Sequence, residues 1–409
     1  LFHRLTRKEA ELYLQTRAEQ KFNVIQAVAL AEVEGLTVPN AYGRFPLLKN
    51  SRGEYDPTLP DLSSDGYDYW DHVDYIVDLA ASLGLYVAML PAWGDKFNQA
   101  WGKGPVVFNG DNARTYGRWL GERYKDRPNV IWVLGGDRPL TTSAHFAVIQ
   151  GMAAGLTEGD GGRHLKTFHP TGGFSSSHHV HDEDWLDFNM IQSGHGQPLT
   201  ENYRMVSADY GKVPVKPTLD AEPCYEDHPI GFNAKNGYFD SADVRRAAYW
   251  SVLAGSLGHT YGHHCIWSFN RKPEPYFIMR WQEALRRPGA EQMKHLRALS
   301  ESRPHQSRVP DTALLAENYE GANHLQACRG NDYAIIYTPN GLSIKINLSS
   351  LPGQSVRAWW FDPRNGAATE IGVFANTGVR EFVPPSCGRG GDWVLVLDDV
   401  SASYHPPGQ

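Results

Sequence analysis

Two carboxyl residues close apolar runs in this chain. Asp137 ends Asn129-Val-Ile-Trp-Val-Leu-Gly-Gly-Asp137, and Glu222 ends Lys216-Pro-Thr-Leu-Asp-Ala-Glu222. Short apolar runs of this kind read as buried strands of a parallel sheet, and groups at the C-terminal ends of such strands gather at one mouth. Two carboxyls held rigidly across a pocket suit one chemistry: one protonates a departing sugar oxygen while the other attacks the anomeric carbon. Retention of configuration would need them about 5 to 5.5 Å apart. Asp137 follows Gly135-Gly136, which lets the backbone leave the strand in a conformation that a side chain forbids. Its plainer reading is an Asp capping the next helix. Asp220 shares a strand face with Glu222 and serves either as a ligand contact or as a hydrogen-bonding support. Glu226, Asp227 and Asp95 are the rival acids, each near a strand end.

Other strand-end groups fall on the same expected face. Trp93, Asp95 and Lys96 follow one strand, His169 another, Gln192 and His195 a third, and Tyr261, His264 and Trp267 surround the last. With Asp220 they form the candidate substrate-binding set. Aromatic platforms beside polar groups suit sugars, which present apolar C–H faces and a rim of hydroxyls. Taken singly, each aromatic reads equally well as packing. The run His178-His-Val-His181-Asp182-Glu183-Asp184 has ligand-type residues, but its spacing fits neither a helical zinc face nor an EF-hand loop, so no metal is assigned. No G-x-S-x-G elbow and no Gly-rich phosphate loop occurs, and no cofactor is expected.

Such groups need a scaffold that brings strand ends together. The first two-thirds of the chain alternate helix-period and strand-like runs, the pattern of repeated βα units in an α/β fold. Helices are expected near residues 6–21, 70–83, 112–125, 142–156, 201–210 and 241–254. Strands are expected at 22–30, 85–90, 129–137, 165–168, 188–192, 216–222 and 265–269. That makes seven strands, so the missing one of a (β/α)8 TIM barrel is expected just upstream of Leu1. From about Val309 the period becomes two, with turn signals at Pro339-Asn-Gly341 and Pro363-Arg-Asn-Gly366. The expected domains are a barrel over 1–304 and a smaller antiparallel β-sandwich over 305–409, joined through helical residues 279–302.

A net charge of −7, with 21% charged residues and no basic run, argues against a nucleic-acid partner. No stretch approaches the roughly 18 apolar residues of a membrane span. Cys224, Cys265, Cys328 and Cys387 show no paired spacing, leaving the redox compartment open, and the oligomeric state is equally unspecified. Thr6-Arg-Lys-Glu9 has the form of a helix capping box close to Leu1, and with no initiator Met there, further residues are expected upstream.

Several longer strings carry a resemblance. Pro39-Asn-Ala-Tyr-Gly43, Tyr69-Trp-Asp-His-Val-Asp-Tyr-Ile-Val77, Leu90-Pro-Ala-Trp-Gly-Asp-Lys96, Trp185-Leu-Asp-Phe-Asn-Met-Ile-Gln-Ser-Gly-His195, Leu219-Asp-Ala-Glu-Pro-Cys-Tyr-Glu-Asp-His228, Ala248-Tyr-Trp-Ser-Val-Leu-Ala254 and Gly258-His-Thr-Tyr-Gly-His-His264 resemble glycoside hydrolase family 140, the apiosidases. The resemblance implies a barrel followed by a collagen-binding-type β-sandwich. It also implies cleavage of the bond between apiose and the galacturonan backbone of rhamnogalacturonan II, a plant pectin. It makes Asp137 the acid/base and Glu222 the nucleophile, and a cell-wall oligosaccharide or polysaccharide the partner. Such a substrate implies a secreted or periplasmic enzyme. Related chains carry a Gly-Asp-Thr type strand upstream of the Leu1 position, which leads us to expect further residues there. On the residues alone, another barrel-clan glycosidase (an arabinofuranosidase or a β-glycosidase) and a non-catalytic carbohydrate-binding protein stay open.

Overall fold

A computed structural model describes residues 1–63 and 66–409. The chain forms two compact units, Leu1–Gln192 and Ser193–Gln409.

In the first unit four parallel strands lie in the order Val24–Leu30, Tyr86–Ala92, Val130–Gly135 and Lys166–His169. Their register sets Val28 beside Leu90, Met89 beside Trp132 and Leu134 beside Phe168. Helices Arg7–Glu19, Tyr69–Ser82, Gly110–Tyr124 and Ser143–Asp160 fill the intervals. Each start is chemically marked. The expected box is present at Thr6 and Glu9, and reciprocal boxes also form at Asp68 with Asp71 and at Asn109 with Asn112. Helix Tyr69–Ser82 buries Trp70, Val73, Ile76, Val77 and Ala80 at helical spacing, and Gly84 just beyond it adopts a left-handed φ of 72°. The antiparallel pair Leu47–Lys49 and Tyr55–Pro60 was not foreseen.

In the second unit strand Thr218–Asp220 runs parallel to Gly258–His259, with Asp220 opposite His259. The strand expected at 265–269 is instead the short helix His264–Trp267. A run of Cys, Ile and Trp fits either state, and the His263 side chain decides between them by accepting the Cys265 N–H as a cap. The expected helical connection is two helices, Trp281–Ala284 and Pro288–Glu301, because Pro288 supplies no N–H to continue a helix but suits a first turn.

The C-terminal part of this unit is antiparallel. A six-stranded sheet runs Val309–Pro310, Gln326–Arg329, Tyr333–Thr338, Trp393–Asp399, Ser355–Phe361 and Ala368–Ala375. Strands Ile344–Asn347 and Val379–Phe382 form a second, two-stranded sheet. Ile336, Trp360 and Leu395 of the first share one buried core with Ile344, Ile346 and Phe382 of the second. Two buried ion pairs tie this sandwich to the residues before it. Arg245 of helix Ser241–Leu253 donates to Asp392 at 3.0 and 2.6 Å, and Arg303 donates to Asp398 at 2.7 and 2.6 Å. The 304/305 border expected from sequence lies within this compact unit.

Candidate active site

Strand Val130–Gly135 delivers Asp137 through three consecutive left-handed residues, with φ of 87° at Gly135, 114° at Gly136 and 52° at Asp137. A non-glycine residue in that region is strained and persists only where its surroundings hold it. Three donors do so. Gln192 Nε2 reaches Asp137 Oδ1 at 3.0 Å, while Trp101 Nε1 and Arg138 Nη1 reach Oδ2 at 3.1 and 2.8 Å. Arg138 also donates to the Asp137 carbonyl at 2.7 Å. The Asp137 side chain keeps 22% exposure, so the carboxyl is firmly oriented yet open to solvent. His169 Nδ1 stands 3.0 Å from the Pro170 carbonyl and 3.4 Å from the Asp137 nitrogen. The ring packs 5.5 Å from Trp93.

Glu222 follows strand Thr218–Asp220, and its carbonyl accepts the Gly194 N–H at 2.8 Å. Its carboxyl is 9% exposed, with Oε1 lying 3.8 Å from His195 Nε2. The His195 ring packs 4.0 Å from His228, 4.9 Å from Tyr225 and 5.3 Å from Phe232. Burial pushes His228 down to about 2, helped by the neighbouring His195 and His264. Burial likewise lowers His264 to about 4, against its Nε2 contact with the Tyr276 carbonyl. Both rings are therefore uncharged at neutral pH.

Residues 1–307 match the family described as "Apiosidase-like, catalytic domain", and 309–398 match "Putative collagen-binding domain of a collagenase". The chain belongs to the apiosidase-like family. A solved structure described as a glycoside hydrolase is 36% identical, covering 99% of this chain and 92% of that one, with a TM-score of 0.88. A glycoside hydrolase family 5 structure from Bacteroides vulgatus is also 36% identical, covering 100% and 88%, with a TM-score of 0.90. A third glycoside hydrolase structure from the same organism, 16% identical over 97% and 76%, shares the fold at a TM-score of 0.67. No curated protein matches. This apiosidase-like chain is thus a glycoside hydrolase with a carbohydrate substrate, an α/β parallel-sheet catalytic domain and a C-terminal antiparallel β-domain.

Within the apiosidase-like chain the rival acids are engaged in bracing contacts. Glu226 accepts the Gly289 N–H and the Tyr261 hydroxyl at 3.1 and 2.6 Å, so Tyr261 is engaged in supporting a buried carboxylate. Asp227 binds His263 at 2.9 Å and Arg287 at 2.7 Å. Asp95 and Lys96 were expected to touch a ligand, but both side chains are wholly buried and pair at 2.8 Å. Both also hold Gly104: Lys96 Nζ binds its carbonyl and Asp95 Oδ2 its N–H, each at 3.0 Å. Two charged residues at a strand end looked ligand-facing because sequence does not reveal that they neutralise each other. Asp220 takes its supporting alternative, accepting Ser193 Oγ and Asn202 Nδ2 at 2.8 Å each while fully buried. Burial first, then the nearby Glu222 charge, raises it to about 6.

Trp93 is half-buried, and Trp267 is 39% exposed with its indole N–H 3.4 Å from His264 Nδ1. Sequence reading missed Trp101, Arg138, His228 and Phe232. Arg138 directly follows Asp137, which was the available signal; Trp101 gave none, because its position depends on the Gly104 clamp. Among the described residues no group of His, Cys, Asp and Glu could hold a metal ion, and no helix is long and apolar enough to cross a membrane.

Proposed function

We propose that this glycoside hydrolase is a retaining apiosidase acting on apiose linkages of pectic rhamnogalacturonan II. Glu222 attacks the anomeric carbon as the departing oxygen takes a proton from Asp137. Asp137 then removes a proton from the water that breaks the glycosyl ester. The observation that carries the reading is the strained Gly135-Gly136-Asp137 exit, with its carboxyl held by Gln192, Trp101 and Arg138. Membership of the apiosidase-like family supports the substrate class. A polymeric wall substrate supports a location outside the cytoplasm, secreted or periplasmic.

The test joins two variants and two substrate types. Glu222→Gln is expected to fold normally and to lose turnover, at least about 1000-fold, in line with loss of a covalent nucleophile. Asp137→Asn is expected to lose far less activity on glycosides with good leaving groups, which need little protonation, than on pectic fragments. Normal turnover by the Gln variant, or equal loss by the Asn variant on every leaving group, refutes these roles. The similarity to a family 5 glycoside hydrolase favours one rival reading, a β-glycosidase. Faster turnover of simple aryl β-glucosides than of apiosyl fragments would establish it.

A further inference from the structure

Trp101 is 63% exposed, although large aromatic side chains usually bury most of their surface. Its attachment is specific. The Arg138 guanidinium carbon lies 4.6 Å from the ring centroid, and Arg138 is itself only 4% exposed. One face of the indole therefore rests on a buried cation while the other is open to solvent. The ring edge donates its N–H to Asp137 Oδ2 at 3.1 Å. The segment is fixed at its base as well: the buried Asp95–Lys96 pair grips both the N–H and the carbonyl of Gly104, and Gln99 Nε2 reaches the Lys103 carbonyl at 3.2 Å. An apolar ring is thus held out in water, against the solvation preference of its carbon atoms, by contacts made at its base, edge and rear.

A carboxyl that protonates a departing oxygen must lie against the group that departs. On the reading of Asp137 as the acid, whatever touches Oδ2 from the solvent side borders that group. We infer that the open face of Trp101 is the platform for the sugar on the leaving-group side of the scissile bond, a pyranose whose C–H face stacks on the indole. For the proposed substrate this sugar is a galacturonic acid residue. The group is a binding residue that sets leaving-group preference and takes no part in proton transfer.

The leaving-group side can be read alone by titrating the intact protein with a galacturonic acid oligosaccharide lacking apiose. Trp101→Ala is expected to weaken this binding about tenfold, the effect of roughly one lost stacking contact, while Trp101→Phe retains most of it. Apiosyl fluoride carries no sugar on the leaving-group side and its fluoride departs without protonation, so both Trp101 variants should lose distinctly less on it than on apiosyl oligosaccharide, the shared remainder being the lost N–H contact to Asp137. The idea is overturned by unchanged or absent oligosaccharide binding, by equal loss in the Phe and Ala variants, or by a matching loss on the fluoride. Asp137→Asn separates the underlying assignment. Undiminished cleavage of apiosyl oligosaccharide by that variant would remove Asp137 as the acid, whereas a normal acid defect with unaltered binding in Trp101→Ala would remove the platform alone.

Discussion

A methyl group on Gly136 would stand 2.8 Å from the Gly94 nitrogen and 2.9 Å from the Trp93 ring, at a φ of 114°. Both the backbone and the space exclude it. Gly136→Ala is expected to cost about 2 kcal/mol or more of stability and to depress turnover by displacing Asp137, as thermal melts and initial rates on one substrate would show. Asp220 makes a second residue-scale prediction. Its folded-state value of about 6 lies above the ordinary carboxylate value, so the folded protein keeps this proton where the unfolded chain has released it. Its contribution to stability is full below about pH 4, falls as pH rises through about 6, and is level beyond. Asp220→Asn keeps an acceptor for Ser193 and Asn202 and removes the titration. Urea midpoints at pH 4.5 and 7 should converge in the variant relative to wild type; an unchanged difference would place the slope elsewhere.

Helices Gly110–Tyr124 and Ser143–Asp160 approach so closely that a Cβ on Gly155 would meet the Arg114 carbonyl oxygen at 2.1 Å. Alanine is the better helix former by about 1 kcal/mol, yet backbone cannot move aside here, so packing outweighs propensity. Gly155→Leu should lower stability by about 1 to 3 kcal/mol through forced separation of the helices, measured by denaturant titration. Elements of this length were legible because apolar spacing and caps agreed: Thr6 with Glu9, or Trp70 through Ala80. The strands leading to Asp137 and Glu222 were legible as short apolar runs. The His264–Trp267 helix was not, since a short apolar run suits two states until His263 caps one. Trp101 was illegible for a different cause: it lies in a loop whose shape is fixed by a buried ion pair, and local sequence does not encode which charges find one another.

Across the larger scale of the second unit, buried charge governs how the sandwich is attached. Burial leaves Asp398 above the usual carboxylate range even with the Arg303 guanidinium beside it, and a buried pair of this kind is costly to break. Replacing Arg303 by Met strands the Asp398 charge and should cost about 3 to 5 kcal/mol. Adding Asp398→Leu in the same chain should restore much of that loss in denaturation measurements. Arg245 anchors to Asp392 and Tyr337 also donates its hydroxyl there, so helix Ser241–Leu253 and the sheet share one polar knot.

That knot has a mechanical consequence. The helix it grips is the next long helix in the chain after the strand that precedes Glu222. A force on the sandwich would therefore be passed directly to that helix instead of being absorbed by a tether, and the module would serve as a stiff handle, without the reach of a flexible arm.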